Sequence, residues 1–128
     1  MGNTGTDHRP IGDLASTSVI SVEPTAPLRV VVQHFVERGV SFVIVSDAGS
    51  VAGVVSEHDV LRAIHDGADI DEIWAADIMT TDLVTTDRQT PVVEAARLMT
   101  ANQVRHLIVV GPEWGVVSIR DVLEALVA

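Results

Sequence analysis

The chain contains the same pattern of residues twice, and this internal repeat constrains its fold more than any other feature. When the first half is displaced by 64 residues, residues 13–17 (DLAST) fall on residues 77–81 (DIMTT). After a turn the displacement becomes 62, and GVVS at residues 53–56 then falls on GVVS at residues 115–118. Because turns tolerate changes in length, the position of this change indicates a structural duplication.

Each copy predicts the same order of elements, β-α-β-β-α. In the first copy the strand, helix, two-stranded hairpin and last helix are predicted at residues 19–22, 27–38, 42–46, 52–55 and 57–65. In the second copy they are predicted at residues 83–86, 91–102, 106–110, 116–117 and 119–127. Thr25 and Thr90 are the predicted N-caps of the first helices, and residues 73–78 predict a short helix before the second copy.

The size of each copy predicts how the chain is organised. A copy of about 50 residues buries little surface alone, and its strands are apolar on both faces. We therefore expect an α/β (α+β) fold in which two tandem repeats pack about a pseudo-two-fold axis, and we expect whole chains to pair as homodimers. The expected boundaries are a flexible N-terminal segment at 1–10, repeat one at 11–65, an acidic linker at 66–75 and repeat two at 76–128.

The charge balance excludes several classes of function. The formal net charge is −10, and all eight cations are arginine. A surface of this charge repels nucleic-acid phosphates and anionic lipids, so we expect no nucleic-acid and no membrane partner. Neither lysine nor cysteine is present for Schiff-base, P-loop or thiolate chemistry. Because no apolar run reaches the roughly 20 residues of a membrane span and residues 1–10 lack a signal-peptide core, we expect a cytoplasmic protein.

The pattern Gly-Val-Val-Ser-x-x-Asp occurs in both copies, as GVVSEHD at residues 53–59 and GVVSIRD at residues 115–121. It predicts a strand that ends at the serine and a helix that begins directly after it, with unpaired backbone N–H groups in the first turn. Such a junction binds anions, and its aspartate can accept hydrogen bonds from both hydroxyls of a ribose. Ser-x-x-Asp also forms a capping box that only stabilises the helix. Both interpretations stay open here.

Taken in order, these segments resemble the CBS domain family. In the second copy the resemblance rests on DIMT at 77–80, RHLIVV at 105–110 and GVVSIRDVL at 115–123. In the first copy it rests on GDLAS at 12–16, SFVIVSDAG at 41–49 and GVVSEHDVL at 53–61. The resemblance covers residues 11–127 and implies a tandem CBS pair, also called a Bateman module.

The resemblance also implies two nucleotide sites. In ligand-binding CBS pairs the aspartate of the Ser-x-x-Asp turn holds the ribose hydroxyls and the serine approaches the phosphate, which implies Asp59, Asp121, Ser56 and Ser118. Backbone groups of the opening segment and of the first hairpin strand hold the base. This implies one site with Leu14, Ala15, Ser16, Phe42, Val43 and Ile44, and another with Ile78, Met79, Thr80, His106, Leu107 and Ile108. The basic side chains implied near the phosphates are His58, Arg105, His106 and Arg120.

The chain departs from the family pattern at a few positions. Ile44 and Ile108 stand where many members have proline, and Ala15 stands where methionine is usual. The second copy has Arg120 where the first has His58, and only the arginine is fully charged at neutral pH. If one site alone binds, these differences favour the site that contains Asp121.

The function implied by the resemblance is that of a stand-alone regulatory module that signals to an unidentified effector protein. It requires no cofactor; the candidate ligands are AMP, ADP, ATP, S-adenosylmethionine and NAD, and the negative charge favours few phosphates. We expect no enzyme, because no nucleophile–base pair is recognisable. The alternative is a ligand-independent dimeric scaffold whose Ser-x-x-Asp turns are only helix caps. A metal site at His58 and Asp59 is disfavoured, since adjacent helical side chains diverge.

Overall fold

The computed structural model describes residues 8–16, 19–111 and 114–127, and the chain divides into two compact units. The central unit is Val19–Leu83. The terminal unit combines the beginning and the end of the chain, and its described residues are 8–16, 84–111 and 114–127. Residues 1–7 of the N-terminal segment, which the sequence predicts to be flexible, lie outside the described residues.

The central unit is a three-stranded sheet covered by helices. Its elements are β1 (Ser21–Val22), α1 (Leu28–Arg38), β2 (Phe42–Asp47), β3 (Ser50–Ser56), α2 (Glu57–His65) and α3 (Ala75–Ile78). β1 runs parallel to β2, which pairs antiparallel with β3. The apolar side of the sheet packs against α1 and α2, and the core contains Val43, Val45, Val55, Leu28, Val31 and Val60. Branched aliphatic side chains suit this arrangement because they pack well on a pleated surface.

The terminal unit repeats this architecture with a short 3₁₀ helix in front. Its elements are the 3₁₀ helix (Ile11–Asp13), β4 (Thr85–Asp87), α4 (Val92–Asn102), β5 (His106–Val110), β6 (Gly115–Ser118) and α5 (Ile119–Val127). β4 runs parallel to β5, and β5 pairs antiparallel with β6. Its core contains Ile11, Val92, Met99, Leu107, Val117 and Val122.

The β-α-β-β-α order predicted for each copy is confirmed. The last helices, α2 and α5, have the predicted bounds, whereas β1 and β4 are each shorter and begin two residues later than predicted. The predicted N-caps Thr25 and Thr90 are wrong. The N-caps are Pro27 and Pro91, which have extended backbone angles, so each helix begins only at the residue after the proline.

The opening segments of the two copies, residues 9–16 and 73–80, each lie in the unit formed by the other copy. In the terminal unit, Ser16 of copy one exchanges both backbone hydrogen bonds with Val116 of copy two, at 3.0 Å each. In the central unit, Thr80 of copy two does the same with Val54 of copy one, at 2.8 and 3.0 Å. The compact units are therefore not the sequence copies, and the two openings are exchanged in equivalent positions.

Glycine permits this close approach in both units. A Cβ atom on Gly115 would lie 2.7 Å from the Cβ of Ala15. A Cβ atom on Gly53 would lie 2.7 Å from the carbonyl oxygen of Thr80. The glycine at the start of each GVVS motif thus makes room for the opening segment that runs alongside the strand.

Candidate functional site

The Ser-x-x-Asp turn of the central unit forms a complete capping box. The Ser56 N–H donates to Asp59 Oδ2 at 2.8 Å, and the Asp59 N–H donates to Ser56 Oγ at 3.2 Å. Asp59 is buried, with 9% of its surface exposed. Its second oxygen, Oδ1, accepts a bond from Arg62 Nη1 at 3.4 Å. Both carboxylate oxygens of Asp59 therefore already have partners within its own helix.

The turn of the terminal unit has the same geometry with different surroundings. The Ser118 N–H donates to Asp121 Oδ2 at 2.8 Å, and the Asp121 N–H donates to Ser118 Oγ at 3.1 Å. Asp121 is half-buried, and the position that corresponds to Arg62 is occupied by Glu124. Both turns thus form a capping box, which fixes each carboxylate at the beginning of its helix.

A shallow cavity of about 260 Å³, wide open to solvent, lies beside Asp121 in the terminal unit. Its lining consists of Arg9, Leu14, Asp121, Glu124 and Ala125. The Nε atom of Arg9 is buried and has no hydrogen-bond partner among the described residues. The cavity therefore combines a carboxylate held in a rigid turn with a guanidinium N–H that has no acceptor among the described residues.

Sequence reasoning missed Arg9 and Glu124 as site residues. Glu124 lies one helical turn after Asp121, so the spacing alone could have indicated it. Arg9 lies in a polar segment more than a hundred positions away in the sequence, and no local pattern marks it. Its place in the site depends on the exchange of the opening segments.

The opening residues named from the sequence are only partly buried or exposed. Leu14 and Ala15 are half-buried and Ser16 is exposed; Ile78 and Met79 are half-buried and Thr80 is exposed. Leu14 lines the same cavity as Asp121, so residues 14–16 and the Asp121 turn lie in one unit. The sequence interpretation grouped residues 14–16 with Phe42–Ile44, which belong to the central unit.

The hairpin-strand residues named from the sequence have mostly buried side chains, so they can offer a ligand mainly their backbone groups. The side chains of Val43, Ile44 and Leu107 are fully buried, and Ile108 is 4% exposed. Their backbones take part in the β2–β3 and β5–β6 pairings. The first residue of each of these strands is less buried than the residues that follow it: Phe42 is half-buried and His106 is exposed.

The basic side chains named from the sequence lie at or near the surface. His58, Arg105 and Arg120 are exposed. His106 keeps an exposed edge, yet partial burial of its ring lowers its pKa below 6.5; the Asp121 carboxylate opposes this shift and Arg105 adds to it. Burial is the dominant cause, so His106 is mainly neutral at pH 7, and its electrostatic coupling to Asp121 places it near the terminal turn.

Other classes of site find no support in the described part of the chain. Within residues 8–16, 19–111 and 114–127, no group of three or more His, Asp or Glu side chains is placed to hold a metal ion. His58 and Asp59 accordingly have no third ligand there. Among the helices of the same residues, none is both long and apolar enough to cross a membrane.

Comparison with known proteins matches the two copies to one family. The CBS domain family profile matches residues 11–66 and again residues 75–128. An uncharacterized protein of Methanopyrus kandleri is 31% identical over 119 residues, which make up 89% of this chain and 61% of that protein. The chain thus spans less than two thirds of that relative's length.

Solved structures share the fold over most of the chain. A conserved protein of Pyrococcus horikoshii has a TM-score of 0.82 at 27% identity, covering 93% of this chain and 92% of that one. CBSX2 in complex with AMP has a TM-score of 0.76 at 23% identity, covering 93% and 96%. The CBS domain of a bacterial CNNM/CorC family Mg²⁺ transporter in complex with ATP has a TM-score of 0.86 at 19% identity, covering 97% and 91%. The last two similarities concern the fold alone. With both copies matched, the chain belongs to the CBS domain family and carries two tandem CBS domains.

Proposed function

We propose that the chain is a regulatory module that binds an adenosine-containing nucleotide at its Ser-x-x-Asp turns. The observation that carries the proposal is the cavity in which Asp121, held by its capping box, shares the lining with Arg9. The AMP complex of CBSX2 and the ATP complex of the transporter domain, which share the fold, support an adenine nucleotide as the ligand class. The role is sensing rather than catalysis, because both halves of the chain match CBS domains and the sequence has no recognisable nucleophile–base pair.

The terminal unit supplies the main site in this proposal. Asp121 accepts hydrogen bonds from the ribose hydroxyls, since a carboxylate held by a capping box still has lone pairs to offer. Ser118 lies at the beginning of α5, where backbone N–H groups favour negative charge. The exposed cations Arg105 and Arg120 add positive potential for a phosphate near this turn. Backbone groups of residues 14–16 and 106–108 contact the base.

The central unit supplies a second, weaker site. Ser56 and Asp59 form the equivalent turn, with residues 42–44 and 78–80 as the base-contacting backbone and His58 as the nearby basic side chain. Asp59 already accepts a bond from Arg62, so a ribose must compete with that ion pair. Binding at this site is therefore weaker than at Asp121.

A partner protein recognises the nucleotide-bound form of the chain. Binding shifts the conformational equilibrium of the protein only to the extent that the ligand binds one conformation more tightly than another. The negative charge of the chain favours a nucleotide with few phosphates, and AMP ranks first among AMP, ADP, ATP, S-adenosylmethionine and NAD. The effector is a protein rather than a nucleic acid, because the same net charge of −10 repels a phosphate backbone.

The chain pairs with a second copy through the last helix of each repeat. Leu61 is 62% exposed on α2, and its equivalent Leu123 is 57% exposed on α5. Ile64 and Leu126, one turn further along, are 47% and 40% exposed. Large apolar side chains repeated at equivalent exposed positions are typical of a self-association surface. Sedimentation of the Leu61→Glu/Leu123→Glu variant should show a monomer where the natural chain is a dimer; an unchanged mass contradicts this surface.

The nucleotide proposal is tested by thermal unfolding with millimolar AMP, ADP, ATP, S-adenosylmethionine and NAD, with GMP as the control for the base. A ligand at 100 times its Kd that binds only the folded state stabilises it by about 2.7 kcal/mol, which raises Tm by several degrees. We expect a rise with the adenosine compounds, AMP first. No rise with any of them would favour the ligand-independent scaffold, whose turns act as helix caps only.

A further inference from the structure

We propose that Arg9 binds the phosphate of the nucleotide held at Asp121 and makes the terminal site selective for a single phosphate group. This inference rests on the proposed nucleotide function and adds a residue from outside the Ser-x-x-Asp turn. It assigns the anionic part of the ligand to the N-terminal opening segment, which precedes the first CBS match at residue 11.

The backbone around Arg9 is held firmly in place. Its carbonyl oxygen accepts a bond from the Val92 N–H at 2.9 Å, and the Ile11 N–H donates to the Thr90 carbonyl at 2.7 Å. Ile11 is fully buried in the terminal core. The position of Arg9 at the cavity is thus fixed by the fold and does not depend on a bound ligand.

The side chain of Arg9 lacks the acceptor that its position requires. Nε is buried without a hydrogen-bond partner among the described residues. A buried donor without an acceptor is destabilising, and for a charged group the cost is larger than for a neutral one. Asp121 and Glu124 line the same cavity, yet the described residues show no ion pair between Arg9 and either of them. An anionic ligand would provide the missing acceptor.

The charges of the lining indicate which anion fits. One guanidinium and two carboxylates line the cavity, so its ligand must present one acceptor group for Arg9 and hydroxyl donors for Asp121 and Glu124. A nucleoside monophosphate has both. Each further phosphate would add negative charge near the two carboxylates, and the exposed Arg105 and Arg120 are not in the lining to offset it. The lining therefore favours AMP over ADP and ATP.

The central unit has no counterpart of this arginine. Ile73 is the equivalent residue, and its carbonyl oxygen accepts a bond from the Leu28 N–H at 2.8 Å, as that of Arg9 does from Val92. The side chain of Ile73 packs against the central core. The backbone is thus equivalent while the donor is absent, which restricts this phosphate contact to the terminal unit.

The test compares AMP with adenosine, each titrated calorimetrically into the natural chain and into Arg9→Met. Loss of a charge-assisted contact weakens binding by about 10- to 100-fold. We expect that loss for AMP and no change for adenosine, and we expect ADP and ATP to bind the natural chain more weakly than AMP. Arg9→Lys, which keeps the charge but not the planar donor pair, should give an intermediate AMP affinity. Arg97→Met, on an exposed arginine of α4 that pairs with Glu94, is the control and should bind AMP normally.

Unfolding of the ligand-free variants separates a binding role from a folding role. Because the buried Nε of Arg9 has no hydrogen-bond partner among the described residues, Arg9→Met should not lower the Tm of the free protein. An AMP affinity that is unchanged in Arg9→Met, or an equal loss for AMP and adenosine, would overturn this inference and leave the nucleotide function standing. Failure of the natural chain to bind AMP would overturn both.

Discussion

The central and terminal units have the same sheet, helices and capping box, but they surround the aspartate of that box differently. In the central unit Arg62, one turn along the helix, pairs with Asp59. In the terminal unit Glu124 replaces that arginine, and the cation that lines the cavity with Asp121 is Arg9 from the opening segment. The duplicated motif thus gives the same local fold in both units, whereas the side chains around its aspartate differ between them.

A second difference lies at the first residue of each hairpin. β2 begins with Phe42 and β5 begins with His106 at the equivalent position. The aromatic ring of Phe42 is half-buried and cannot titrate, whereas partial burial lowers the pKa of His106. Only the terminal unit therefore carries a titratable side chain at this position.

The largest expected effect concerns the two cores. Leu107→Ala removes a fully buried leucine from the terminal core, and Val43→Ala removes a smaller side chain from the equivalent place in the central core. Leu107→Ala should lower the free energy of unfolding by about 2–5 kcal/mol, because the cavity left behind adds to the lost burial. Urea denaturation measures both variants. An equal loss in the free energy of unfolding from the smaller change, Val43→Ala, would show that the two cores are not comparable in packing.

The next effect concerns the exchanged opening segments. Gly53→Ala and Gly115→Ala each place a Cβ atom 2.7 Å from an atom of the neighbouring segment. We expect each variant to lose about 1–3 kcal/mol of stability, as in other overpacked sites. The loss should be larger for Gly53, because its neighbour is the backbone oxygen of Thr80. Ser50→Ala, on an exposed strand residue, is the control. Wild-type stability of both glycine variants would contradict the observed packing.

The smallest effect is pH-dependent stability from His106. Its pKa is lowered in the folded state, so the unfolded state binds the proton more readily. The stability it contributes is present above pH 6.5 and decreases as the pH falls from there toward the lower folded pKa. Thermal unfolding from about pH 8 to pH 5 should therefore show a steeper acid loss in the natural chain than in His106→Phe. Parallel curves would assign the acid dependence to other groups.

Most of the fold could be predicted from the sequence because the signals are local. Ser56 and Ser118 end apolar strands and begin amphipathic helices, so the bounds of α2 and α5 followed from capping and periodicity alone. Thr25 and Thr90 failed as N-caps because the extended prolines two residues and one residue later delay the helix. Threonine is a favourable N-cap residue, but the extended conformation of the following proline overrides that preference in both helices.

The composition of the site could be predicted only in part. Asp121 and Ser118 were recognisable because the motif carries them, and Leu14 was recognisable from the family resemblance. The presence of Arg9 beside Asp121 follows from a segment exchange that depends on packing at Gly115 and on hydrogen bonds to Val116. Such long-range contacts leave no periodic signal in the sequence.

The most direct test of the account is calorimetric titration of AMP into the natural chain, Asp121→Asn and Asp59→Asn. Each substitution keeps a side chain of the same size and an oxygen for the capping bond, so stability should change by less than about 2 kcal/mol. We predict that Asp121→Asn weakens the tighter binding at least about 10-fold, whereas Asp59→Asn leaves that binding unchanged. Wild-type AMP affinity in Asp121→Asn, or loss of the tighter binding in Asp59→Asn alone, would contradict the assignment of the main site to the terminal unit.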